Sequence, residues 1–593
     1  MTKNHTRKNE PAALLALLCA ALTAIFLLCV LCACGNEGKS GADTSGTTVL
    51  SGQATEGTVT TSAGEDPATV TGWFDYGTAL YQRDNFTPGT SSSISIQMAK
   101  NEIEGFQFLL TSDRDVDGLN CSLEALTDGK GNTLNGTVNV VRYLWVDKSE
   151  GTHDIFTWYP AAMLPIDDEY QGGVFDVAKN TCRTLYVSFR TDENTVPGIY
   201  SGTLKVGKNG EEILSGDVTV RVRNVYYDEK TECLTMLGLG YDKKKGDPTY
   251  PAGPDSAPAL AAQHGVGFEN PDLMLEYAEF LLDNRFCATW LPFEDELLDK
   301  DFDKLKSYMD NPRMNGANIG GYAYRMTDNE RKTNLDSQYR IASENGWLDK
   351  LYFASYDEPS REEHLQYIFQ NARYINYYFP TSQFLDAINT DIPLGGRNIV
   401  ERLSDVTTTF CPIIDIFKGE IRESLLRLKK ERGDKLYWYV VGSKDGSTLN
   451  VLPCSPGTDK RLIFWQQYQQ DVDGFLYWSV TTWNFSHDIW AEDYMETDFP
   501  FPKSDGMATD CGALIYWHPL TKKPVTTLGF EAMRDGVEDF QLFRMAEREF
   551  GREKVLGYIE KITTDVDKFV KYKNGSTELL ADLRNQIFDL MDP

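Results

Sequence analysis

The chain has 593 residues, of which 41% are hydrophobic and 12% are aromatic, so it is long enough to bury two or three separate cores. Its formal net charge of -30 argues against a nucleic acid partner, because the phosphates would be repelled. The histidines contain no H-E-x-x-H motif, and the seven cysteines after residue 34 contain no C-x-x-C motif, so no metal site is predicted. The common glycine signatures for phosphates and dinucleotides are also absent, and we expect no cofactor.

The first 34 residues have the features of an export signal. Lys3, Arg7 and Lys8 give a basic start, and an apolar stretch then runs from about residue 12 to residue 33. The stretch ends in Leu-Cys-Ala-Cys, which resembles the bacterial lipobox and predicts cleavage and lipidation at Cys34. The alternative is an uncleaved signal anchor, since the apolar stretch is nearly long enough to span a bilayer. We therefore expect an exported bacterial lipoprotein, anchored by its lipid at the outer face of the cell membrane.

The next segment, residues 35–70, is rich in Gly, Ser and Thr and is predicted to be a flexible tether. Residues 71–228 then show short strand patterns without helices between them, which predicts a β-sandwich. The clearest strand patterns are 94–98, 104–110, 184–189 and 218–222. Turn dipeptides such as Asn209-Gly210 separate such strands. No group of catalytic side chains is apparent in this domain, and we expect it to pack against the rest and shape the substrate site.

Residues 229–593 change to a rhythm in which strands alternate with helices. Strands are predicted at 234–239, 286–291, 318–324, 351–356, 383–388, 413–417, 436–441 and 474–480. The clearest helical patterns are 272–284, 361–379 and 461–470. Eight alternating units predict an α/β fold, a (β/α)₈ TIM-type barrel with additional C-terminal helices.

The acidic pair Asp357-Glu358 follows directly after the fourth predicted strand and precedes Pro359 and a helix start. In barrels of this type, the carboxyl ends of the strands carry the chemistry. Two adjacent carboxylates repel each other, so the pKa of one should rise, and a carboxyl with a raised pKa can serve as a general acid. Most Asp-Glu pairs are solvated surface charges, but the position of this one favours a catalytic role.

Other strand ends carry side chains that suit a sugar ligand. Aromatic rings can stack on sugar rings, although strand aromatics more often pack in a core. Those that follow the end of a strand are favoured as ligand contacts. The predicted substrate-binding residues are Tyr356, Asn389, Trp438, Tyr439, Trp478, Trp483 and Asn484.

Four sequence segments together resemble glycoside hydrolase family 123 and the related proteins that carry domain of unknown function 4091. These segments are GWLDKLYF at 346–353 with Asp357-Glu358-Pro359, DGFLYW at 473–478, GALIY at 512–516 and EAMRDGVEDF at 531–540. The N-terminal sandwich pattern also fits, so the resemblance covers most of the mature chain. It implies a β-sandwich followed by a (β/α)₈ barrel.

The resemblance also implies β-N-acetylgalactosaminidase activity by substrate-assisted, retaining hydrolysis of 2-acetamido sugars. Most glycoside hydrolases use two carboxyl groups that flank the scissile bond, and this mechanism is an exception. By this resemblance Glu358 is the general acid/base, and Asp357 orients the acetamido group of a glycan substrate. Arg534 and Asp535 in the last segment are interpreted as a structural charge pair.

Two alternatives remain open from the sequence. A conventional retaining glycosidase would use Glu358 with a nucleophile on a later strand and would act on sugars without an acetamido group. A non-catalytic, glycan-binding lipoprotein would also fit the lipidation signal, the aromatic residues and the sandwich domain.

Overall fold

The computed structural model describes residues 53–59, 67–146, 157–239, 271–289, 302–318, 328–354, 356–378, 383–391, 393–441, 447–481, 483, 489–490, 512–572 and 576–593. The predicted signal segment with Cys34 and the predicted ligand residue Asn484 lie outside these ranges. Most of the predicted tether lies outside them as well.

The N-terminal part consists of β-strands. In chain order they are β1 (Thr55–Val59), β2 (Ala68–Tyr76), β3 (Ser93–Lys100), β4 (Ile103–Ser112), β5 (Val116–Leu123), β6 (Leu126–Thr127), β7 (Thr133–Leu134), β8 (Gly136–Val146), β9 (Thr157–Pro165), β10 (Phe175–Val177), β11 (Arg183–Arg190), β12 (Gly198–Lys208) and β13 (Glu211–Tyr226). One sheet has the order β1-β2-β4-β11-β8-β9, and the other has β10-β5-β12-β13-β3 with β6 and β7 beside β12. Neighbouring strands are antiparallel except for β13 and β3. Both sheets contribute side chains to one apolar core, as a sandwich requires.

The strand predictions for this domain are confirmed, and so is the turn between β12 and β13. Asn209 and Gly210 have φ values of 54° and 87°, which a two-residue hairpin of this kind requires. The predicted tether needs a correction, because residues 55–59 form strand β1 and pair with β2. Composition indicated a tether there because Gly and Thr interrupt the apolar pattern, whereas pairing with an adjacent sheet edge decides the structure.

The second part contains a nearly closed parallel sheet. Its strands are β14 (Leu234–Leu237), β15 (Ala317–Asn318), β16 (Leu351–Ala354), β17 (Gln383–Ile388), β18 (Thr409–Pro412), β19 (Lys435–Tyr439) and β20 (Gly474–Tyr477), in the order β14-β20-β19-β18-β17-β16-β15. Small antiparallel pairs follow as β21 (Tyr516–Trp517) with β22 (Pro524–Val525) and β23 (Thr563–Asp565) with β24 (Lys568–Phe569). The predicted mixed α/β fold with a barrel-like parallel sheet is thus confirmed.

The gap between the two edge strands, β14 and β15, holds the short segment 287–289. The Leu237 N–H donates to the carbonyl of Cys287 at 2.8 Å, and the Asn318 N–H donates to that of Thr289 at 2.9 Å. This segment therefore makes backbone contact with both edges of the sheet.

The sixth predicted strand is displaced. We predicted it at 413–417, but β18 ends at Pro412, and Ile414–Ile416 form a turn of 3₁₀ helix. The apolar sequence Ile413-Ile414 continues past the strand end because its side chains are also buried in the turn. Composition alone does not distinguish the two conformations.

The described helices surround the sheet and extend past it. They are α1 (Pro271–Asp283), α2 (Phe302–Asp310), α3 (Asp328–Asn345), α4 (Glu362–Tyr378), α5 (Ile399–Leu403), α6 (Gly419–Arg432), α7 (Gly457–Gln469), α8 (Leu528–Phe550), α9 (Arg552–Ile559) and α10 (Ser576–Met591). The three clearest helical predictions are confirmed as α1, α4 and α7. None of the helices in the described ranges is both long and apolar enough to cross a bilayer.

A buried group of charges joins the sandwich to the helices. Arg461 of α7 bonds to Asp539 of α8 at 2.6 Å and to Glu104 of strand β4 at 3.0 Å. Arg584 of α10 contacts Asp539, Glu104 and Glu102, the last of which precedes β4. Although burial by itself raises the pKa of Asp539, the two arginines outweigh it and hold that pKa below its ordinary value. We call these five residues the interface charge network.

Arg534 and Asp535 belong to a continuation of this network along α8. The guanidinium of Arg534 bonds to Asp535 at 2.8 Å, and both side chains are almost fully buried. Arg461 reaches Asp535 at 3.5 Å, which connects the two groups. Burial raises the pKa of Asp535 well above the ordinary carboxyl range, although both arginines oppose that shift. Their position at the domain contact agrees with a structural role for the pair.

The cysteines of the described residues are buried. They are Cys121, Cys182, Cys233, Cys287, Cys411 and Cys454. Burial raises the pKa of the Cys121 and Cys182 thiols to about 12. At neutral pH these side chains therefore behave as small apolar groups.

We predict that Arg461→Leu destabilises the protein by about 3–5 kcal/mol, because it leaves the three buried carboxylates of the network to share one arginine, Arg584. The free energy of unfolding in urea measures this loss. The matched control is Arg340→Leu, since Arg340 pairs with Glu344 at 3.5 Å on the surface of α3. An exposed pair of this kind contributes about 0–1 kcal/mol. Equal losses in the two variants would contradict the prediction.

Candidate active site

The acidic pair lies at the carboxyl end of β16, as the sequence predicts. Tyr352 of that strand points into the barrel and Phe353 points to the surrounding helices, so the strand alternates regularly up to its end. Asp357 lies three residues beyond the described end of the strand, and Glu358 and the buried Pro359 follow it. We call residues 357–360 the acidic loop.

Glu358 has an unusual backbone conformation. Its φ is 51°, in the left-handed region, which costs a residue with a side chain about 1–2 kcal/mol. The following proline contributes, because a residue before proline is disfavoured in the right-handed helical region. In a regular strand, adjacent side chains point to opposite faces. The left-handed residue bends the chain here, so the side chains of Asp357 and Glu358 need not point in opposite directions. Strain of this kind is often found where a side chain must be aimed at a ligand.

Side chains at the ends of two other strands of the sheet hold the Glu358 carboxylate. The phenol of Tyr439, at the end of β19, donates a hydrogen bond to Glu358 Oε1. Asn389, directly after β17, donates from Nδ2 to Glu358 Oε2 at 2.6 Å. Burial, and after it the charge of Glu358, raises the pKa of Tyr439 above its ordinary value, so the phenol keeps its proton. Three strand ends thus converge on one carboxylate.

Asp357 differs from its neighbour in its electrostatic environment. Its side chain stays accessible to solvent, but enough protein surrounds it that desolvation, together with the charge of Glu358, raises its pKa to about 6. The pair therefore contains one carboxyl fixed by two donors and one that titrates close to neutral pH. This separation of roles is what an acid/base site requires.

The barrel interior beneath the pair is filled. The side chains that point inward form a compact cluster of Met236, Tyr352, Leu385, Cys411, Tyr437 and Tyr439. Because packing closes the lower end, a substrate can approach the pair only from the carboxyl ends of the strands.

The remaining predicted ligand residues differ in whether they lie beside the acidic pair or pack in the core. Tyr356 lies beside the acidic pair, half-buried, with its ring stacked on His364 at 4.4 Å between centroids. Trp438 is fully buried on the helix side of β19, where its ring meets Phe417 edge-on, so the structure does not bring it to the site. The neighbours of Trp438 in the strand, at odd positions, point inward instead.

Trp478 and Trp483 follow β20. Trp478 is partly buried and packs against the main core, with its ring 6.4 Å from that of Tyr477. Trp483 is only 2% exposed, donates from Nε1 to the carbonyl of Ile515 at 2.9 Å and meets Trp517 edge-on. The structure therefore places Trp483 in the core, where it offers no surface to a ligand.

One residue that no motif marks also lies at the site. His364, in the first turn of α4, stacks on Tyr356 and accepts a hydrogen bond from the Ser360 N–H at its Nδ1, at 3.2 Å. In the sequence, only the spacing of four residues between Ser360 and His364 indicates this contact. In the described part of the chain, no three His, Cys, Asp or Glu side chains are grouped so that they could hold a metal ion.

Two family models match the chain, and both describe the same enzyme family. The model "Glycoside hydrolase 123, catalytic domain" matches residues 332–546, and "Glycoside hydrolase 123 N-terminal domain" matches residues 78–208. Together the matches cover more than half of the chain. The chain belongs to glycoside hydrolase family 123. The catalytic match includes Asp357, Glu358, Asn389 and Tyr439.

The fold of this family 123 glycoside hydrolase agrees with that of a solved structure. A family 123 glycoside hydrolase from Clostridium perfringens, studied for glycolipid glycan hydrolysis, aligns with a TM-score of 0.61 at 12% identity, over 88% of this chain and 98% of that one. A GH5 xyloglucanase from Bacteroides ovatus gives a TM-score of 0.26 at 10% identity, over 75% of this chain and 98% of that one. The second score is too low to indicate a shared fold. The comparison with curated proteins gives no significant match.

We predict that Asp357→Asn stabilises the folded enzyme, and increasingly so as the pH rises from about 4 to about 6. The raised pKa of Asp357 means that the folded enzyme disfavours the ionised form, whereas the unfolded chain ionises at about pH 4. Ionisation thus lowers wild-type stability as the pH rises through this window, and the amide removes that loss. Urea unfolding of both proteins at several pH values measures the difference.

The control for this pH dependence is Asp128→Asn, which should give the opposite sign. Hydrogen bonds from Asn132 and the Lys130 N–H lower the pKa of Asp128, so its ionised form stabilises the fold. A difference between wild type and Asp357→Asn that stays constant with pH would contradict the prediction.

Proposed function

We propose that this family 123 enzyme is a β-N-acetylgalactosaminidase-like hydrolase of 2-acetamido sugars that uses the substrate's own acetamido group as the nucleophile. The observation that carries the proposal is the adjacent carboxyl pair at the end of β16, with Glu358 fixed by Tyr439 and Asn389 and Asp357 titrating near pH 6. Two groups at neighbouring positions suit a reaction in which each acts on a different substrate atom. A separate carboxylate nucleophile is then unnecessary.

In the first step, Glu358 donates a proton to the glycosidic oxygen. The acetamido carbonyl oxygen of the substrate attacks the anomeric carbon as the bond to the leaving group breaks. This gives a cyclic oxazolinium ion and a free alcohol, and Glu358 is left as a carboxylate. In the second step, Glu358 takes a proton from water while the water oxygen attacks the anomeric carbon and reopens the ring. Two inversions leave the anomeric configuration retained.

Asp357 acts on the other end of the acetamido group. As a carboxylate it accepts the amide N–H, which aims the carbonyl oxygen at the anomeric carbon, and it stabilises the positive charge of the oxazolinium ion. The ionised form is needed for both effects. With a pKa of about 6, Asp357 is mostly ionised at neutral pH and loses this role in acid.

Tyr439 and Asn389 position Glu358 for proton transfer. In the free enzyme each of the two Glu358 oxygens accepts one of these hydrogen bonds. We expect the glycosidic oxygen of the substrate to replace one donor, which leaves the other to hold the carboxyl in place. A carboxyl held in this way can transfer its proton without first reorienting.

We further propose that the barrel is a full (β/α)₈ barrel, in which residues 286–289 belong to the second strand that the sequence predicts at 286–291. The hydrogen bonds from Leu237 to Cys287 and from Asn318 to Thr289 support this count. The site then lies at the usual functional end of the fold.

The proposed chemistry predicts turnover of nitrophenyl N-acetyl-β-galactosaminide and inhibition by a thiazoline analogue of the oxazolinium ion. Glu358→Gln should lower kcat by about 10²–10⁴, because proton transfer is lost. Asp357→Asn should be comparably damaging. The matched control is Glu363→Gln, an exposed carboxylate in the first turn of α4, which should leave kcat unchanged.

Activity on the galactoside that lacks the N-acetyl group would instead favour a conventional retaining glycosidase. A trapped glycosyl-enzyme on a carboxylate would favour that mechanism too. Near-normal kcat in both Glu358→Gln and Asp357→Asn would contradict the proposed roles of the pair.

We also propose that the enzyme is exported and anchored at the outer face of the cell membrane by a lipid on Cys34. The lipobox-like sequence Leu-Cys-Ala-Cys supports this location. Cys34→Ala should move the protein out of the detergent-extracted membrane fraction and abolish incorporation of a labelled fatty acid. Cys121→Ala, which changes a buried thiol of the sandwich, serves as control. Unchanged labelling of Cys34→Ala would contradict lipidation at this residue.

A further inference from the structure

His364 contacts the chain on both sides of the acidic pair. Its imidazole ring stacks on Tyr356, the residue before Asp357, with 4.4 Å between centroids and 25° between planes. Its Nδ1 accepts the N–H of Ser360, the residue after Pro359, at 3.2 Å. The only residues between these two contacts are Asp357, Glu358 and Pro359. One side chain thus fixes both ends of a three-residue segment.

This segment needs to be held in place. Glu358 has a φ of 51°, in the left-handed region, which a residue with a side chain is favoured to leave. If it relaxed, its carboxylate would turn away from Tyr439 and Asn389. The adjacent Pro359 has no N–H to donate to a neighbouring group. The contacts at the two ends of the segment therefore add to the hydrogen bonds from Tyr439 and Asn389 in holding the bent conformation.

The helix that carries His364 is itself anchored at its start. Arg402 binds both carboxylate oxygens of Glu362, at 2.5 and 3.1 Å, and also donates to the carbonyl of Leu394 at 2.9 Å. A two-point bond of this type fixes the orientation of the groups it joins. His364 lies two residues further along, so its ring projects from a fixed part of α4.

We propose that His364 is a positioning residue that holds the acidic loop in its catalytic conformation through its contacts with Tyr356 and Ser360. The role rests on the proposed function, since it is the placement of Asp357 and Glu358 that His364 secures. His364 touches the loop and not the reacting atoms. Because Nδ1 accepts a hydrogen bond, a neutral imidazole carries its proton on Nε2.

Three substitutions separate the two contacts. His364→Phe keeps an aromatic ring against Tyr356 but removes the acceptor for Ser360. His364→Asn places an oxygen near the position of Nδ1 but removes the ring. His364→Ala removes both. Tyr377→Ala is the control, since Tyr377 lies on the same helix and is 79% exposed.

We expect His364→Ala to lower kcat about 10- to 100-fold on the nitrophenyl N-acetylgalactosaminide, because a displaced catalytic group reduces turnover by about this factor. KM should stay within about twofold of the wild type, since the substrate contacts remain. His364→Phe and His364→Asn should each fall between His364→Ala and the wild type. Tyr377→Ala should match the wild type.

Hydrogen exchange supplies a readout that does not depend on turnover. The amide of Ser360 should exchange faster in His364→Phe and His364→Ala than in the wild type, but not in His364→Asn. Melting temperatures of all four variants show whether the fold is intact. A loss of kcat matched by a general loss of stability would overturn the proposal, because His364 would then be a structural residue.

Two further outcomes are distinguishable. If Glu358→Gln is inactive but His364→Ala keeps wild-type kcat, the proposed function stands and the role of His364 is overturned. If Glu358→Gln is active, the assignment of the acidic pair fails, and the role of His364 fails with it.

Discussion

The fold depends on a buried charge balance between its two parts. Arg461 and Arg584 come from helices that follow the barrel strands, and Glu102 and Glu104 come from the sandwich. Buried charges are tolerated only when their partners are in place, so the sandwich and the helices must come together with these groups in register. Folding of the barrel therefore depends on the domain before it. The N-terminal domain contributes to the enzyme as a structural partner of these helices.

The active site uses the opposite strategy. Where the network pairs each of its buried carboxylates with an arginine, the acidic loop keeps Asp357 accessible and Glu358 in a strained conformation. Local strain persists only where the surroundings hold it. At this site the surroundings are two donors at the ends of two other barrel strands and a histidine on the following helix. The packed side chains of the barrel interior lie beneath the loop and support the strained residue.

Much of this site follows from the sequence. The apolar approach, the acidic pair and the helix start place Asp357 and Glu358 at the end of a strand, and the strand rhythm places Asn389 and Tyr439 at the same ends of two other strands. Trp438 shows the limit, because its orientation depends on which strand face points inward, and a one-residue change reverses it. In the structure the odd positions of β19 face the interior, so Tyr439 reaches Glu358 and Trp438 does not. The interface charge network joins residues hundreds of positions apart, and no local pattern predicts such pairs.

The buried thiols have a consequence for where the enzyme can work. Proteins outside the cytoplasm meet oxidants, and only the thiolate form of cysteine reacts readily with them. With pKa values near 12, Cys121 and Cys182 are almost entirely protonated at neutral pH, and the core also shields them from the solvent. Burial thus keeps these two thiols chemically inert. If the enzyme is exported, as we propose, this burial protects them from oxidation.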